Sequence, residues 1–294
     1  MTETAIRDSF LFHEESGEGT PFVFLHGNPT SSHLWRNVTP RLGVGIRAIA
    51  PDLIGMGRSG KPDIAYDFAD HAAYLDTWFD ALGLDGVVLV GHDWGGALAF
   101  DWAARHPDRV RGVAFLETIV RPFTWSDFAG GRARIEALRA PGVGEAKVLD
   151  ENFFMEVALG ATVLKPLADA DLAAYRAPYP TRESRRPLLA WPRAFPIEGE
   201  PADVTGRVAA YDRWLAASGE VPKLLLRFDG SPTLIIGPEI AAWCEKNIAA
   251  LDVAACGAAG HMAPEDQPEA IAAALGGWAG RHGLRSPPSG AVAA

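Results

Sequence analysis

The chain has 294 residues, 48% of them hydrophobic, enough to bury a large core, and its length suits one domain with an insertion or two small ones. Acidic residues outnumber basic ones 37 to 27, and the resulting net charge of −10 argues against nucleic acid or an anionic membrane as partner, because either selects a clustered basic surface. Two cysteines, Cys244 and Cys256, are too few and too unpatterned for a disulfide framework or a metal site, so both read as reduced thiols. The N-terminus lacks a basic segment followed by an apolar core, and no stretch reaches transmembrane length. The expectation is a soluble cytoplasmic protein, monomeric or a small homo-oligomer.

In chain order, Asp8 to Glu14 partly alternates and reads as an edge strand, and Pro21 to Leu25 (PFVFL) reads as a buried strand running into His26-Gly27-Asn28-Pro29. Ser32 to Leu42 reads as a short helix, Ile46 to Pro51 as a strand, and Asp52 to Ser59 as a glycine-rich loop. A helix is expected from near Asp67 to Leu82, with Phe68, His71, Leu75 and Trp78 on one side. Gly86 to Val90 (GVVLV) has the unalternating β-branched pattern of a strand buried on both faces. From Ala97 to Arg105 the apolar spacing turns helical and stops before Pro107. Between them stands Gly91-His92-Asp93-Trp94-Gly95, whose glycines suit a sharp strand-to-helix turn. This is the pattern of a nucleophile elbow with aspartate where serine is usual, although Asp93 as a plain helix cap fits the same residues. Arg109 to Glu117 is the next strand and ends in an acid. The β-α-β-α-β-α-β order predicts a mainly parallel sheet flanked by helices.

Regularity breaks after Val120. Through Ala217 the chain shows helical pieces separated by eight prolines and carries no strand signal, so 121–217 reads as a helical cap inserted into a core formed by 1–120 and 218–283. Strands are expected at Val221 to Arg227 and Leu251 to Cys256, and a last helix at Gln267 to Arg281. Residues 284–294 read as a disordered tail. Between the final strand and that helix lies His261, in a loop of small residues.

Asp93, Glu117 and His261 thus stand at the ends of different strands, in the order nucleophile, acid, histidine that marks α/β-hydrolases. The blocks HGNPTSS (26–32) followed by Trp35, DLIGMG (52–57), GHDWG (91–95), FLETIVRPFTW (115–125) and RRPLLAWPR (185–193) resemble haloalkane dehalogenases over nearly all of 20–283. That resemblance implies an α/β-hydrolase fold with a helical cap, Asp93 as nucleophile, His261 as base, Glu117 as acid, and Asn28 and Trp94 as the halide-binding pair. The partners it implies are a small halogenated alkane, water and halide ion, with no metal or cofactor.

Some features depart from that pattern. The segment before HGNPTSS is about ten residues short, so an edge strand is expected to be missing or shortened. The base stands in GAAGHMAPED, which makes Met262 a candidate pocket wall, together with Phe123, Phe153, Phe154 and Thr162. Ile135 and Leu138 fit either cap core or access route. Asp229 competes with Glu117 for the histidine. An epoxide hydrolase shares the aspartate, the histidine and the HGxP motif, and would use two cap tyrosines from among Tyr175, Tyr179 and Tyr211. Coelenterazine luciferases resemble the chain at GHDWG and ENFFMEVAL (151–159), and a hydrolase-fold binding protein with little turnover would retain the same triad.

Overall fold

Strand β5 (Val87–His92) is buried at every position, as its run of β-branched residues requires of a central strand covered on both faces. The computed structural model describes residues 2–128 and 131–286. Around β5 the eight strands lie in the order β1-β2-β4-β3-β5-β6-β7-β8. The others are β1 (Thr2–Ile6), β2 (Ser9–Gly17), β3 (Gly19–Leu25), β4 (Gly45–Pro51), β6 (Val110–Leu116), β7 (Lys223–Asp229) and β8 (Leu251–Ala258). The β1–β2 and β2–β4 pairs are antiparallel, and every pair from β4 to β8 is parallel. All six parallel strands therefore discharge their carboxyl ends on one side, where open α/β sheets bind ligands.

Helices α1 (Phe68–Ala81), α2 (Trp94–Arg105), α7 (Pro238–Asn247) and α8 (Pro268–Arg281) accompany the sheet. The insertion after β6 contains α3 (Arg132–Arg139), short helical turns including Ala146–Asp150 and Phe154–Ala158, then α4 (Asp169–Arg176), α5 (Arg186–Ala194) and α6 (Ala202–Ala217). The last of these returns to the sheet helices. Tyr211 on α6 lies against Phe100 on α2 and donates to the Ile119 carbonyl at 2.6 Å, and Arg207 pairs with Asp101 at 3.1 Å.

Four expectations change. The edge strand is present: Arg7, with φ 48°, turns the chain so that Thr2–Ile6 pairs back on Ser9–His13. The expected helix over 32–42 is two single 3-10 turns, Ser32–Trp35 and Thr39–Arg41, the first capped by the Ser31 hydroxyl and the second started by Pro40. The cap contains extended backbone after all, since Phe123 bridges Ile197, which bridges Glu200. Of the expected tail, 284–286 are folded down: Leu284 is buried and the Ser286 N–H donates to the Gly45 carbonyl at 3.1 Å, while 287–294 lie outside the described residues. Helix α7, between β7 and β8, carries no expectation from the sequence.

Candidate active site

At the end of β5 the backbone reverses at Asp93, whose φ of 51° and ψ of −128° are unusual for a residue with a side chain and typical of strain held at a functional turn. What permits the turn is close packing. A Cβ on Gly95 would lie 2.2 Å from the Leu25 carbonyl, so α2 can start immediately beside β3 only with glycine there. The Thr118 hydroxyl donates to the Asp93 carbonyl at 2.6 Å and ties the turn to the end of β6. The Asp93 side chain makes no helix-capping bond. Its Oδ2 accepts the Asn28 backbone N–H at 2.8 Å instead, so the plain capping reading does not hold.

Oδ1 has no hydrogen-bond donor among the described residues. His261 Nε2 lies 3.8 Å from it, beyond bonding distance. Burial raises the Asp93 pKa above the ordinary carboxylate value, against the opposing pull of the imidazole and of the Asn28 and Trp94 backbone N–H groups. His261 Nδ1 lies 3.3 Å from Glu117 Oε2, which fixes the proton on Nδ1 and turns the Nε2 lone pair toward Asp93. Burial pulls the His261 pKa down, but the Glu117 hydrogen bond and the Asp93 and Glu117 charges outweigh it, and the net direction is upward. Glu117 is buried and accepts the Ile235 and Ile236 backbone N–H groups at 2.7 and 3.2 Å, so its free lone pairs are matched.

The histidine loop is held at every backbone N–H. Ala259 donates to the Asp229 carbonyl at 3.0 Å, Gly260 to Asp266 Oδ2 at 2.8 Å, His261 to the Thr233 hydroxyl at 3.1 Å and Met262 to the Thr162 carbonyl at 3.0 Å. The His261 carbonyl in turn accepts from His92 Nε2 at 2.8 Å, and burial keeps that imidazole's pKa well below normal. Asp229 thus contributes only its backbone; its side chain is exposed and does not reach His261. The sequence does not single out His92 and Thr233, which reach the histidine loop from 169 and 28 residues away, nor Asp266, which bonds Gly260 from six residues away without a pattern of its own.

Asn28 and Trp94 face the same space. The Asn28 amide is oriented by a 3.4 Å bond from Nδ2 to the Leu188 carbonyl; the opposite orientation would set two oxygens together. The Trp94 ring stacks on Trp191 at 4.7 Å and meets Phe68 and Phe195 edgewise. His71 stacks behind Trp191 at 4.2 Å, and burial, with the neighbouring His26, pushes its pKa down to about 3, so a neutral ring backs the tryptophan pair.

These groups open into a cavity of about 500 Å³ lined by Asn28, Asp93, Trp94 and His261 below and by Phe128, Ile135, Leu138, Phe153, Phe154 and Phe195 above, with Thr162 and Met262 at the side. The apolar cover is the usual wall of a small-molecule site. Phe123 is not part of it. Its ring stacks on Phe195 at 5.5 Å, and Phe195, which the sequence did not single out, stands between Phe123 and the cavity. No Tyr175, Tyr179 or Tyr211 hydroxyl reaches the cavity: Tyr175 donates to Glu265 and Tyr211 to the Ile119 carbonyl, and all three are buried elsewhere.

The chain matches a model of the alpha/beta hydrolase fold over residues 20–142. A haloalkane dehalogenase of Mesorhizobium japonicum is 47% identical over 282 residues, covering 94% of this chain and 90% of that protein. The chain belongs to the haloalkane dehalogenase family. A Sphingobium indicum haloalkane dehalogenase is 44% identical, with 94% of each chain covered. Among solved structures, haloalkane dehalogenase DbeA from Bradyrhizobium elkani superposes with a TM-score of 0.92 at 47% identity, covering 96% of this chain and 98% of that one. DatA from Agrobacterium tumefaciens superposes with a TM-score of 0.90 at 42% identity, covering 96% of each. In this chain a buried aspartate, a histidine and a glutamate stand side by side beneath an apolar cover.

Proposed function

We propose that the protein hydrolyses small haloalkanes to alcohol and halide through an alkyl ester on Asp93. The observation that carries the reading is the Asp93 carboxylate itself: one oxygen is held by Asn28 N–H and the other faces an apolar cavity with no donor on it. Such an oxygen keeps its lone pair for an sp3 carbon. As Asp93 Oδ1 bonds to that carbon, the carbon–halogen pair leaves with the halide. Donors that cannot themselves ionise meet the growing charge: the Trp94 indole N–H and the Asn28 carboxamide.

His261 Nε2 then takes a proton from water, and the hydroxide adds to the carboxyl carbon of Asp93. The Asn28 and Trp94 backbone N–H groups face the resulting oxyanion. Collapse breaks the bond to the alkyl oxygen, which leaves as alcohol with the imidazolium proton, and the Asp93 carboxyl releases the remaining proton to solvent. Glu117 holds the ring and stabilises its cation. An epoxide hydrolase would need tyrosine donors over Asp93, and none of the three cap tyrosines lines the cavity. Every group the reaction uses comes from one chain, so the reading needs no partner subunit, and we infer a monomer or small homo-oligomer acting in the cytoplasm.

The test is to incubate the protein with n-butyl bromide, ethylene dibromide and styrene oxide, following halide release and diol formation. Halide from the bromides and no phenylethanediol from styrene oxide are expected; diol from the epoxide without halide from the bromides would overturn the reading. In His261→Phe, intact-protein mass spectrometry after n-butyl bromide should show one added butyl group, and peptide mapping should place it on the peptide containing Asp93, because the ester forms and is not hydrolysed.

A further inference from the structure

Four residues that line the cavity carry or can carry charge: Asp93, Asp127, Arg134 and His261. Asp93 and His261 belong to the triad. Asp127 is neutralised where it stands, by Arg121 at 2.8 and 3.1 Å and by the Thr124 N–H and hydroxyl at 2.8 and 2.9 Å. Arg134 is different. It is exposed on α3, and no carboxylate or carbonyl among the described residues takes its guanidinium. The other arginines around this part of the cap are all engaged: Arg132 with Glu136, Arg139 with the Phe195 carbonyl, Arg193 with Glu145. The first turn of α3 supplies no acidic residue either.

An otherwise apolar cavity therefore has a negative group at its floor and an uncompensated cation in its cap wall. A substrate bearing an anion near its halogen would be repelled by Asp93, whereas one bearing it at the far end meets the guanidinium, which can take a carboxylate through two parallel hydrogen bonds.

We propose that Arg134 is a specificity-determining residue that admits haloalkanes carrying a terminal monoanion, such as ω-haloalkanoates, with the halogenated end toward Asp93. This rests on the dehalogenase reading above. The chemistry is unchanged: the carbon–bromine bond breaks with its electron pair going to bromide, water supplies the hydroxyl, one proton goes to solvent, and the product is an ω-hydroxyalkanoate. The charge of Arg134 already extends over the site, where it acts to lower the His261 pKa.

The experiment compares ω-bromohexanoate with neutral, similarly shaped ω-bromohexanamide in the wild type, Arg134→Gln and Arg134→Glu, by bromide release. The ratio of kcat/KM, acid over amide, is expected to fall about two- to five-fold in Arg134→Gln, as for a solvent-accessible ion pair, and further in Arg134→Glu. The change should lie in KM, since the contact is equal in ground and transition states. The wild-type ratio should also fall in a halide-free salt at roughly 1 M, where the screening length is about 3 Å. Repeating the series with butanoate and octanoate homologues should show the Arg134 effect peaking at one chain length. Equal ratios in all three proteins, or a ratio indifferent to salt, would overturn the assignment of Arg134 while the dehalogenase reading stands. No bromide from the neutral amide or from n-butyl bromide would remove that reading, and this one with it.

Discussion

At Asp93, one residue carries two constraints that pull apart. Its carboxylate must be ionised to attack carbon, yet burial raises its pKa, and what offsets burial is the imidazole and two backbone N–H groups. The same exchange lifts His261. Because the base must be neutral to accept a proton, the hydrolytic half-reaction should fall off as the pH drops through the His261 pKa, which burial lowers and the Glu117 hydrogen bond and charge raise; the Asp93 charge, which also raises it in the resting enzyme, is absent from the ester. Glu117→Gln removes the largest upward influence, so the acid limb of kcat should move to lower pH while the plateau drops. A limb that stays in place with full turnover would dissociate Glu117 from the base. On the halide side, Asn28→Ala and Trp94→Leu should each slow the single-turnover alkylation by about two to three powers of ten, the scale of losing one preorganised donor; rapid-quench measurement of bromide in the first turnover reads it. The positions proposed for these roles are legible in sequence because elbow, HGNP block and histidine loop are local patterns. The groups that steady them were not. His92, Thr233 and the Thr162 carbonyl act across 169, 28 and about 100 residues of chain, through contacts that exist only once the sheet is assembled. Phe123 misled for the same reason, since whether an aromatic residue of the cap faces ligand or core depends on Phe195, 72 positions away, which covers it.

At the scale of elements, legibility follows burial. The central strands announce themselves as unbroken β-branched runs, and their order left little freedom beyond a parallel sheet. Strand β1 could not be read in that way, because TETAI is mostly exposed and gains its structure only by pairing with β2. The 3-10 turns at 32–35 and 39–41 share the apolar spacing of a short helix, but Pro40 has no N–H to continue one from the preceding turn. Helix α7 starts at Pro238 after a segment rich in turn formers and buries only Ile240, Ala241 and Cys244, a stripe too thin to stand out. Where two elements press together the sequence is strict. At Gly95 a methyl group would enter the Leu25 carbonyl, so Gly95→Ala should part α2 from β3 and cost about 1–3 kcal/mol, the range for overpacking a close contact. Urea unfolding gives the number, and a change below a few tenths would mean that the elbow tolerates displacement. Activity should fall with it, since Asp93 sits two residues away.

Over the whole molecule, the cap and the sheet are joined on the histidine side by a charged network that no motif indicates. Glu265, four residues beyond the base, has a buried side chain that accepts from both terminal nitrogens of Arg36 at 2.6 and 2.8 Å and from the Tyr175 hydroxyl. Arg36 also pairs with Asp171 at 2.9 Å, as does His33 at the same distance. One guanidinium therefore ties the turn at 32–35, the cap helix α4 and the segment that carries His261. Burial opposes the charge on Arg36, but the Glu265 bond and charge prevail and the guanidinium pKa is raised. Removing the cation leaves a carboxylate that is only 3% exposed without its partner, so Arg36→Met should destabilise strongly. The usual cost of stranding a buried charge is about 3–5 kcal/mol; Arg36 is itself one-fifth exposed, which lowers the expectation to about 2–3 kcal/mol. The companion change Glu265→Gln removes the stranded charge, so the double variant should recover more than half of that loss, and a thermodynamic cycle from urea unfolding at neutral pH gives the coupling directly. If the two single losses simply add, the network is three independent contacts. If they couple, the cap is fastened through the segment that follows the base, and the double variant should unfold with normal cooperativity while its hydrolytic step, more than its alkylation step, stays slow.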